Sequence, residues 1–199
     1  MDVITTLGRT LGFSFAAGVN LYATVAMLGL ASRFGWVRLP EQFGVFNHDY
    51  VIAAAVVMYV IEFFADKIPY VDTVWDMIHT AIRPVGGALI AVSTLGEASP
   101  ATQGLIALLG GTVAAGSHLT KTSTRAVANT SPEPFSNWAL SLGEDGLVVG
   151  LGLLALAYPV TALIITAVLV GLMAVFAAAI VRAVRRRFAR RPVRLAHTS

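Results

Sequence analysis

The chain contains no cysteine and few charged residues. Of its 199 residues, 13% are charged and 56% are hydrophobic, and the mean hydropathy is +0.75. A soluble domain of this size carries about 25% charged residues. The deficit predicts that lipid is the main solvent of the chain. The absence of cysteine excludes a disulfide framework, a thiolate metal site and a cysteine nucleophile.

Several enzyme signatures are also missing. The sequence has no HExxH, GxSxG or Walker motif, so the common marks of zinc peptidases, serine hydrolases and nucleotide-binding proteins are absent. We therefore expect no cofactor. A divalent metal stays open only at Asp72, Asp76 and His79, whose carboxylate and imidazole groups could ligate one.

The first 30 residues lack the basic segment of a signal peptide. They remain apolar well beyond FAAG, whereas a signal peptide ends after a short apolar region. We interpret them as a retained first membrane span.

Acidic residues are absent after Asp145, and the C-terminus is rich in arginine. Seven of the fourteen basic residues lie in the last eighteen positions. Basic residues beside a span mark the cytoplasmic side and can bind anionic lipid head groups. Because topology explains these arginines, we expect no nucleic-acid partner. The sequence predicts a single membrane domain over residues 1–181 and an Arg-rich cytoplasmic tail over residues 182–199.

Apolar segments of unequal length divide the chain. A span needs about 20 apolar residues, and we assign four full spans to residues 11–31, 51–64, 101–119 and 160–181. Two shorter apolar pieces, residues 85–95 and 147–158, follow polar stretches. We interpret each as half of a short or broken helix, with a re-entrant course as an alternative. The expected fold is an all-α polytopic membrane protein.

The two short pieces also correspond to each other. PYVD begins at position 69 and PFSN at position 134, and an offset of 65 relates the apolar pieces that follow. An internal repeat, inverted in the membrane, is therefore an open hypothesis, since paired interrupted segments indicate a transporter-type site. The Gly-rich faces GALIAVSTLG and GLIALLGGTVAAG favour close helix packing, within the chain or in a homo-oligomer.

Ionisable residues lie on two helical stripes with i, i+4, i+7, i+11 spacing, which places each set on one face. The first stripe consists of Asp72, Asp76, His79 and Arg83. The second consists of His118, Thr122, Arg125 and Asn129, with Lys121 beside it.

Lipid exposure of the first stripe is unfavourable. Three charges at mid-bilayer cost about 8–10 kcal/mol, whereas the apolar neighbours return at most about 5 kcal/mol. The stripe therefore lies at the interface, as a solvated amphipathic helix, or against a polar cavity. The opposite charges of the two stripes predict that they pair, because buried charges need partners.

Other polar residues extend the candidate ion or substrate pathway. They are Asn20, Glu62, Asp66, Lys67, Glu133, Asn137, Glu144 and Asp145. Asn20 places an amide within the first span, where it either bonds a neighbouring helix or contributes to a site. His118 is equally open to a structural hydrogen bond and to a ligand role.

Three segments carry a family resemblance. They are GVNLYATVAMLGL, EFFADKIPYVDTVWDMIHTAIRPVGGAL and HLTKTSTRAVANTSPEPFSNWALSLGED, which cover most of residues 18–146. In them the chain resembles a family of bacterial membrane proteins known only as domain of unknown function 4126. The resemblance implies a membrane location, which we take to be the bacterial inner (cytoplasmic) membrane, and it assigns no role to any residue.

Three functions stay open. The first is a small transporter or channel for an ion or small polar solute, in which the carboxylates and His79 carry protons or cations. The second is a membrane-embedded enzyme or lipid-handling protein, with Asp76 and His79 as acid and base and Lys121 and Arg125 gripping a phosphate head group. The third is a structural or assembly subunit, whose charges serve folding or docking.

Overall fold

The computed structural model describes residues 3–130 and 135–189, which contain seven α-helices and a short 3-10 helix. The helices are α1 (Val3–Val19), α2 (Leu21–Arg33), α3 (Asp49–Ala65), α4 (Pro69–Leu95), α5 (Pro100–Ala128), α6 (Phe135–Ala157) and α7 (Pro159–Ala189). The 3-10 helix, Glu41–Asn47, lies between α2 and α3. The fold is all-α, as predicted.

Within the described residues, three helices have the length and composition to cross a membrane. They are Tyr70–Leu95, Phe135–Ala157 and Pro159–Arg187. The α7 helix presents large apolar side chains outward along its length, among them Ile164, Leu172 and Val175. Such a surface suits lipid and indicates a membrane protein. The expected count of four full spans is not confirmed.

The two apolar pieces expected to form short or broken helices are instead the second halves of continuous helices. Residues 85–95 end α4, a helix of 27 residues, and residues 147–157 end α6, a helix of 23 residues. Pro84 lies within α4 and removes one backbone hydrogen bond without ending the helix. The expectation was wrong because it counted apolar residues alone. The polar first halves are helical too, with their polar faces turned into the protein.

The interruption lies in the first predicted span. Asn20 separates α1 from α2 in an extended conformation (φ −147°, ψ 101°), and its side chain accepts a hydrogen bond from the Ala23 N–H at 3.0 Å. Asparagine is among the best N-cap residues. A polar residue that caps a helix in the middle of an apolar run therefore converts one predicted span into two shorter helices.

Helix α1 is the centre of the bundle and contacts α4, α5, α6 and α7. Small residues let the helices approach closely. A Cβ atom on Gly18 would overlap the Ser117 hydroxyl and the Ala114 carbonyl, and one on Gly110 would overlap the Ala91 methyl group. The Gly-rich faces thus pack helices within the chain, and this packing brings α4 and α5 side by side.

Some predictions fall outside these findings. Glu133 and residues 190–199 of the Arg-rich segment lie outside the described residues, whereas residues 182–189 continue helix α7. The internal repeat and the homo-oligomer stay predictions.

Candidate functional site

The charged face of α4 is buried inside the bundle. Asp72, Asp76, His79 and Arg83 are 1%, 3%, 2% and 0% exposed. A solvated interfacial helix would leave this face in water, so the structure favours the alternative in which the stripe faces the protein interior. Helices α1, α2, α3 and α5 supply the partners of these groups.

Arg83 joins its own helix, α4, to α1, α3 and α5. Its Nη2 donates to Glu62 Oε1 of α3 at 2.6 Å and lies 3.3 Å from Asp76 Oδ1 on its own helix. Its Nη1 donates to the Gly18 carbonyl at 3.2 Å and to His118 Nδ1 at 2.8 Å. The side chains of Arg83 and Glu62 are both 0% exposed. A buried pair of this kind persists only with additional hydrogen bonds, which the carbonyl and the imidazole supply.

Lys121 of α5 lies among three carboxylates. Its Nζ is 2.8 Å from Asp66 Oδ2, 3.5 Å from Glu62 Oε1 and 3.7 Å from Glu144 Oε2. It also donates to the Val19 carbonyl at 3.4 Å. The ammonium therefore links α5 to α1, α3 and α6.

Arg125, one turn further along α5, forms a bidentate pair with Glu144 of α6. The Nε–Oε1 and Nη2–Oε2 distances are 3.1 and 2.5 Å. Arg125 also donates to the Asp66 carbonyl at 2.6 Å and lies 3.7 Å from Asp72 Oδ1. The two predicted stripes therefore meet at Asp72 and Arg125. The pairing differs at Asp76, whose ion pair is with Arg83 of its own stripe.

Eight charged residues connected by these ion pairs form a group that we call the charged cluster. They are Glu62, Asp66, Asp72, Asp76, Arg83, Lys121, Arg125 and Glu144. The cluster holds five carboxylates and three cationic side chains, an excess of two carboxylates. Asp145, beside Asn20, and Lys67, beside Ser141, have opposite signs and leave the excess at two when both are counted.

The helix break at Asn20 is part of this site. The last carbonyl groups of a helix have no partner within the helix, and they form its negative end. The Gly18 and Val19 carbonyls at the end of α1 accept hydrogen bonds from Arg83 and Lys121. On the other side, the Asn20 Nδ2 lies 3.4 Å from Asp145 Oδ1. The Asn20 amide thus bonds a neighbouring helix, which is one of the two roles expected for it from the sequence.

His118 is held as a neutral imidazole. Arginine can only donate, so the His118 Nδ1 that faces Arg83 at 2.8 Å must be unprotonated. The proton is then on Nε2, which lies 3.2 Å from Thr80 Oγ1, and this hydroxyl donates to the Asp76 carbonyl at 3.0 Å. His118 therefore orients Arg83 and cannot accept a proton while Arg83 keeps this position.

His79 is also fully engaged. Its Nδ1 lies 2.7 Å from the Trp75 carbonyl, which can only accept, so Nδ1 carries a proton. Its Nε2 lies 2.8 Å from the Tyr22 hydroxyl. Neither nitrogen is available to a metal beside Asp72 and Asp76. Among the described residues, no group of three or more His, Cys, Asp or Glu side chains could hold a metal ion.

Asn129 and Asn137 lie at the edge of the charged cluster. Asn137 Nδ2 donates to Asn129 Oδ1 at 2.7 Å, and Asn129 Nδ2 lies 3.4 Å from Asp72 Oδ2. The two amides connect the start of α6 to α4 and leave Asp72 with a hydrogen bond from a neutral donor.

Lys67 lies in the connection between α3 and α4. Its Nζ donates to the Phe63 carbonyl at 2.9 Å and to Ser141 Oγ at 3.2 Å, and it lies 3.1 Å from the centre of the Phe63 ring. Burial lowers the pKa of this ammonium group. Lys67 thus ties α3 to α6 through a hydroxyl, outside the ion pairs of the charged cluster.

Two cavities reach the charged cluster from different sides of α5. One, of about 390 Å³, lies between α4 and α5 and is lined by Asp72, Asp76 and Arg125 among others. The other, of about 380 Å³, lies among α1, α5, α6 and α7 and reaches Lys121 and Glu144. Because Arg125 lines the first and Glu144 the second, their ion pair stands between the two cavities.

Two contributors to the site were missed from the sequence, Tyr22 and Thr80. Tyr22 follows the helix break by two residues, so its position beside Asn20 was the available signal. Thr80 directly follows His79 on α4. Hydroxyls in apolar helices usually bond their own backbone, so the sequence offered no signal that this one also reaches His118.

Neither a curated protein nor a solved structure matches this chain. A family model described as "Domain of unknown function (DUF4126)" matches residues 7–179. This range contains all eight residues of the charged cluster and the break between α1 and α2. The chain therefore belongs to the DUF4126 family.

Proposed function

We propose that the protein is a small membrane transporter for an ion or small polar solute, operating through the charged cluster. One observation carries the proposal: the enclosed cluster has two more carboxylates than cationic side chains. Isolated charges in a medium of low dielectric constant are costly. The excess is therefore neutralised by protons or by a bound cation, and the site exchanges these with its surroundings.

The surroundings of the cluster support this reading. Interrupted helices whose ends face charged groups occur in the binding sites of secondary transporters, and the α1–α2 break contributes two carbonyls to this cluster. Cavities on two sides of α5 offer two routes of access. The Arg125–Glu144 pair separates these routes, so its opening and closing would alternate access between them.

The orientation in the membrane follows from the arginines. Arg182, Arg185, Arg186 and Arg187 lie at the end of α7. By the positive-inside rule, this end lies in the cytoplasm of a bacterium, against the anionic lipids of the inner membrane. Helices α3 and α5, with the α1–α2 pair, would complete the crossing of the bilayer beside the three long apolar helices, and copies of the chain would associate through the lipid-facing surface.

The other two hypotheses have less support in the geometry. A phosphate-gripping enzyme needs a free cation, whereas Arg83, Lys121 and Arg125 each pair with carboxylates. A structural role would account for the ion pairs but leaves the excess of two carboxylates unexplained. Under that role, exchanging the charges of the Asp72–Arg125 pair would restore every property of the protein.

Ion flux in proteoliposomes tests the proposal. The purified chain would be reconstituted with a pH-sensitive dye inside, and a panel of cations and anions would be applied outside. We expect Asp76→Asn to abolish the flux. Glu97→Gln makes the same carboxylate-to-amide change at an exposed position and should leave the flux intact. Equal flux in wild type and a folded Asp76→Asn variant would refute the proposal.

A further inference from the structure

The cavity between α4 and α5 has the lining of a cation site with room for a small organic group. Two carboxylates, of Asp72 and Asp76, lie on its α4 side. Four hydroxyl residues also line it, Thr73, Thr80, Thr122 and Ser123. Met77 and Ala126 add apolar surface. The volume of about 390 Å³ falls within the usual range of small-molecule pockets, about 300–1,000 Å³.

The two carboxylates have unused acceptor capacity. Asp72 is 1% and Asp76 3% exposed, yet the Oδ1 atom of each accepts no hydrogen bond from any residue in the described ranges. Their ion pairs, to Arg125 at 3.7 Å and to Arg83 at 3.3 Å, do not meet hydrogen-bond geometry. Buried carboxylate oxygens are almost always hydrogen-bonded. Both residues line the same cavity, so a donor bound in it would lie beside two residues that each have an unsatisfied oxygen.

The charge balance points to the same ligand. The charged cluster has two carboxylates in excess, and Asp72 and Asp76 are the two that line this cavity with an unsatisfied oxygen. Glu62, Asp66 and Glu144 each lie within 2.8 Å of a cationic nitrogen. Glu62 and Asp66 also keep one unsatisfied oxygen each, but they do not line this cavity. A positively charged hydrogen-bond donor in the cavity would therefore reduce the excess beside the two carboxylates that lack a close cationic partner.

The geometry selects among cations. A primary ammonium group carries one charge and three N–H donors, which suit two carboxylates and a threonine hydroxyl. A metal ion suits the cavity less well, because the described residues provide no three-ligand group. A quaternary ammonium has no N–H to donate.

We propose that this cavity binds a small primary ammonium compound, with its nitrogen between Asp72 and Asp76 and its carbon chain against Met77 and Ala126. The inference rests on the proposed transport function, since it names the class of solute that the same site would carry.

Isothermal titration calorimetry on the full chain in detergent at pH 7 tests the inference. The probes are ethylammonium and 2-hydroxyethylammonium, with tetramethylammonium and sodium as cations of equal charge without N–H donors. We expect saturable binding of the primary ammonium probes, and at least about tenfold weaker binding of the other two. Asp76→Asn should weaken binding at least about tenfold, and Glu97→Gln should leave it unchanged.

A second variant covers the case in which Asp76→Asn does not fold. Ala126→Phe adds bulk to the cavity wall at an exposed position of α5 and leaves all ion pairs in place, so it should fold and lose binding. No binding of the primary ammonium probes, equal binding of tetramethylammonium, or unchanged binding by folded Ala126→Phe would each overturn the inference. Ion flux without binding of the primary ammonium probes would refute this inference but not the transport function. Binding of these probes without any flux would refute only the transport function.

Discussion

Replacement of Lys121 by methionine tests how strongly the charged cluster depends on each cation. Methionine keeps the length and most of the apolar contacts of the side chain but removes the charge. The ammonium lies 2.8 Å from Asp66, 3.5 Å from Glu62 and 3.7 Å from Glu144, and it is 1% exposed. Without it, the excess of carboxylates rises from two to three.

The expected cost follows from this burial. Removing one partner of a buried ion pair typically costs about 3–5 kcal/mol, because the remaining charge is left uncompensated. The only other lysine of the chain, Lys67, provides a matched control. Its hydrogen bonds go to a carbonyl and a hydroxyl, so Lys67→Met should cost only about 1–2 kcal/mol.

Equilibrium unfolding in mixed micelles, followed by tryptophan fluorescence, measures both free energies. A double variant, Lys121→Met with Asp66→Asn, removes one carboxylate together with the cation and should be less destabilised than the sum of the single changes by about 1–3 kcal/mol. If Lys121→Met cost no more than Lys67→Met, the view that the cluster is electrostatically coupled would be wrong.

Two further predictions concern α1 and α2. Gly18→Ala should destabilise the protein by about 1–3 kcal/mol, because the new methyl group overlaps Ser117. Gly150→Ala, in open space within α6, should instead stabilise the protein by about 0.5–1 kcal/mol. Thermal unfolding measures both changes in stability, and changes of the same sign would contradict the packing argument. Asn20→Ala should lower the free energy of unfolding by about 0.5–2 kcal/mol through loss of the N-cap, and Asn20→Ser should keep most of the wild-type stability. The same unfolding assay measures both variants. An Asn20→Ala variant as stable as the wild type would mean that the helix break does not depend on the cap.

The sequence carried enough information to locate the buried stripe but not to pair its members. The spacing of Asp72, Asp76 and Arg83, together with the cost of charge in lipid, is sufficient to turn these groups away from lipid, but it leaves the interface and the protein interior as alternatives. Which cation meets which carboxylate depends on helix separation and side-chain rotamers. Asp76 pairs with Arg83 on the same helix, whereas Lys121 pairs with Asp66.

The helix boundaries were less well predicted, for a physical reason. Span assignment counted apolar residues and kept Asn20 inside the first span, although an asparagine that can cap a following turn was visible in GVNLY. The same count of apolar residues treated residues 85–95 as a separate short piece, although they continue the charged first half of α4. A helix buried among polar partners needs no continuous apolar run, so hydropathy alone underestimates its length.

The charges of α4 also constrain how the protein is made. Alone in lipid, a helix with Asp72, Asp76 and Arg83 loses more free energy than its apolar residues return. Glu62, the partner of Arg83, is on the preceding α3, but Arg125, the partner of Asp72, is on α5, which is synthesised later. We therefore expect α4 to stay in the insertion machinery until α5 emerges and supplies Arg125.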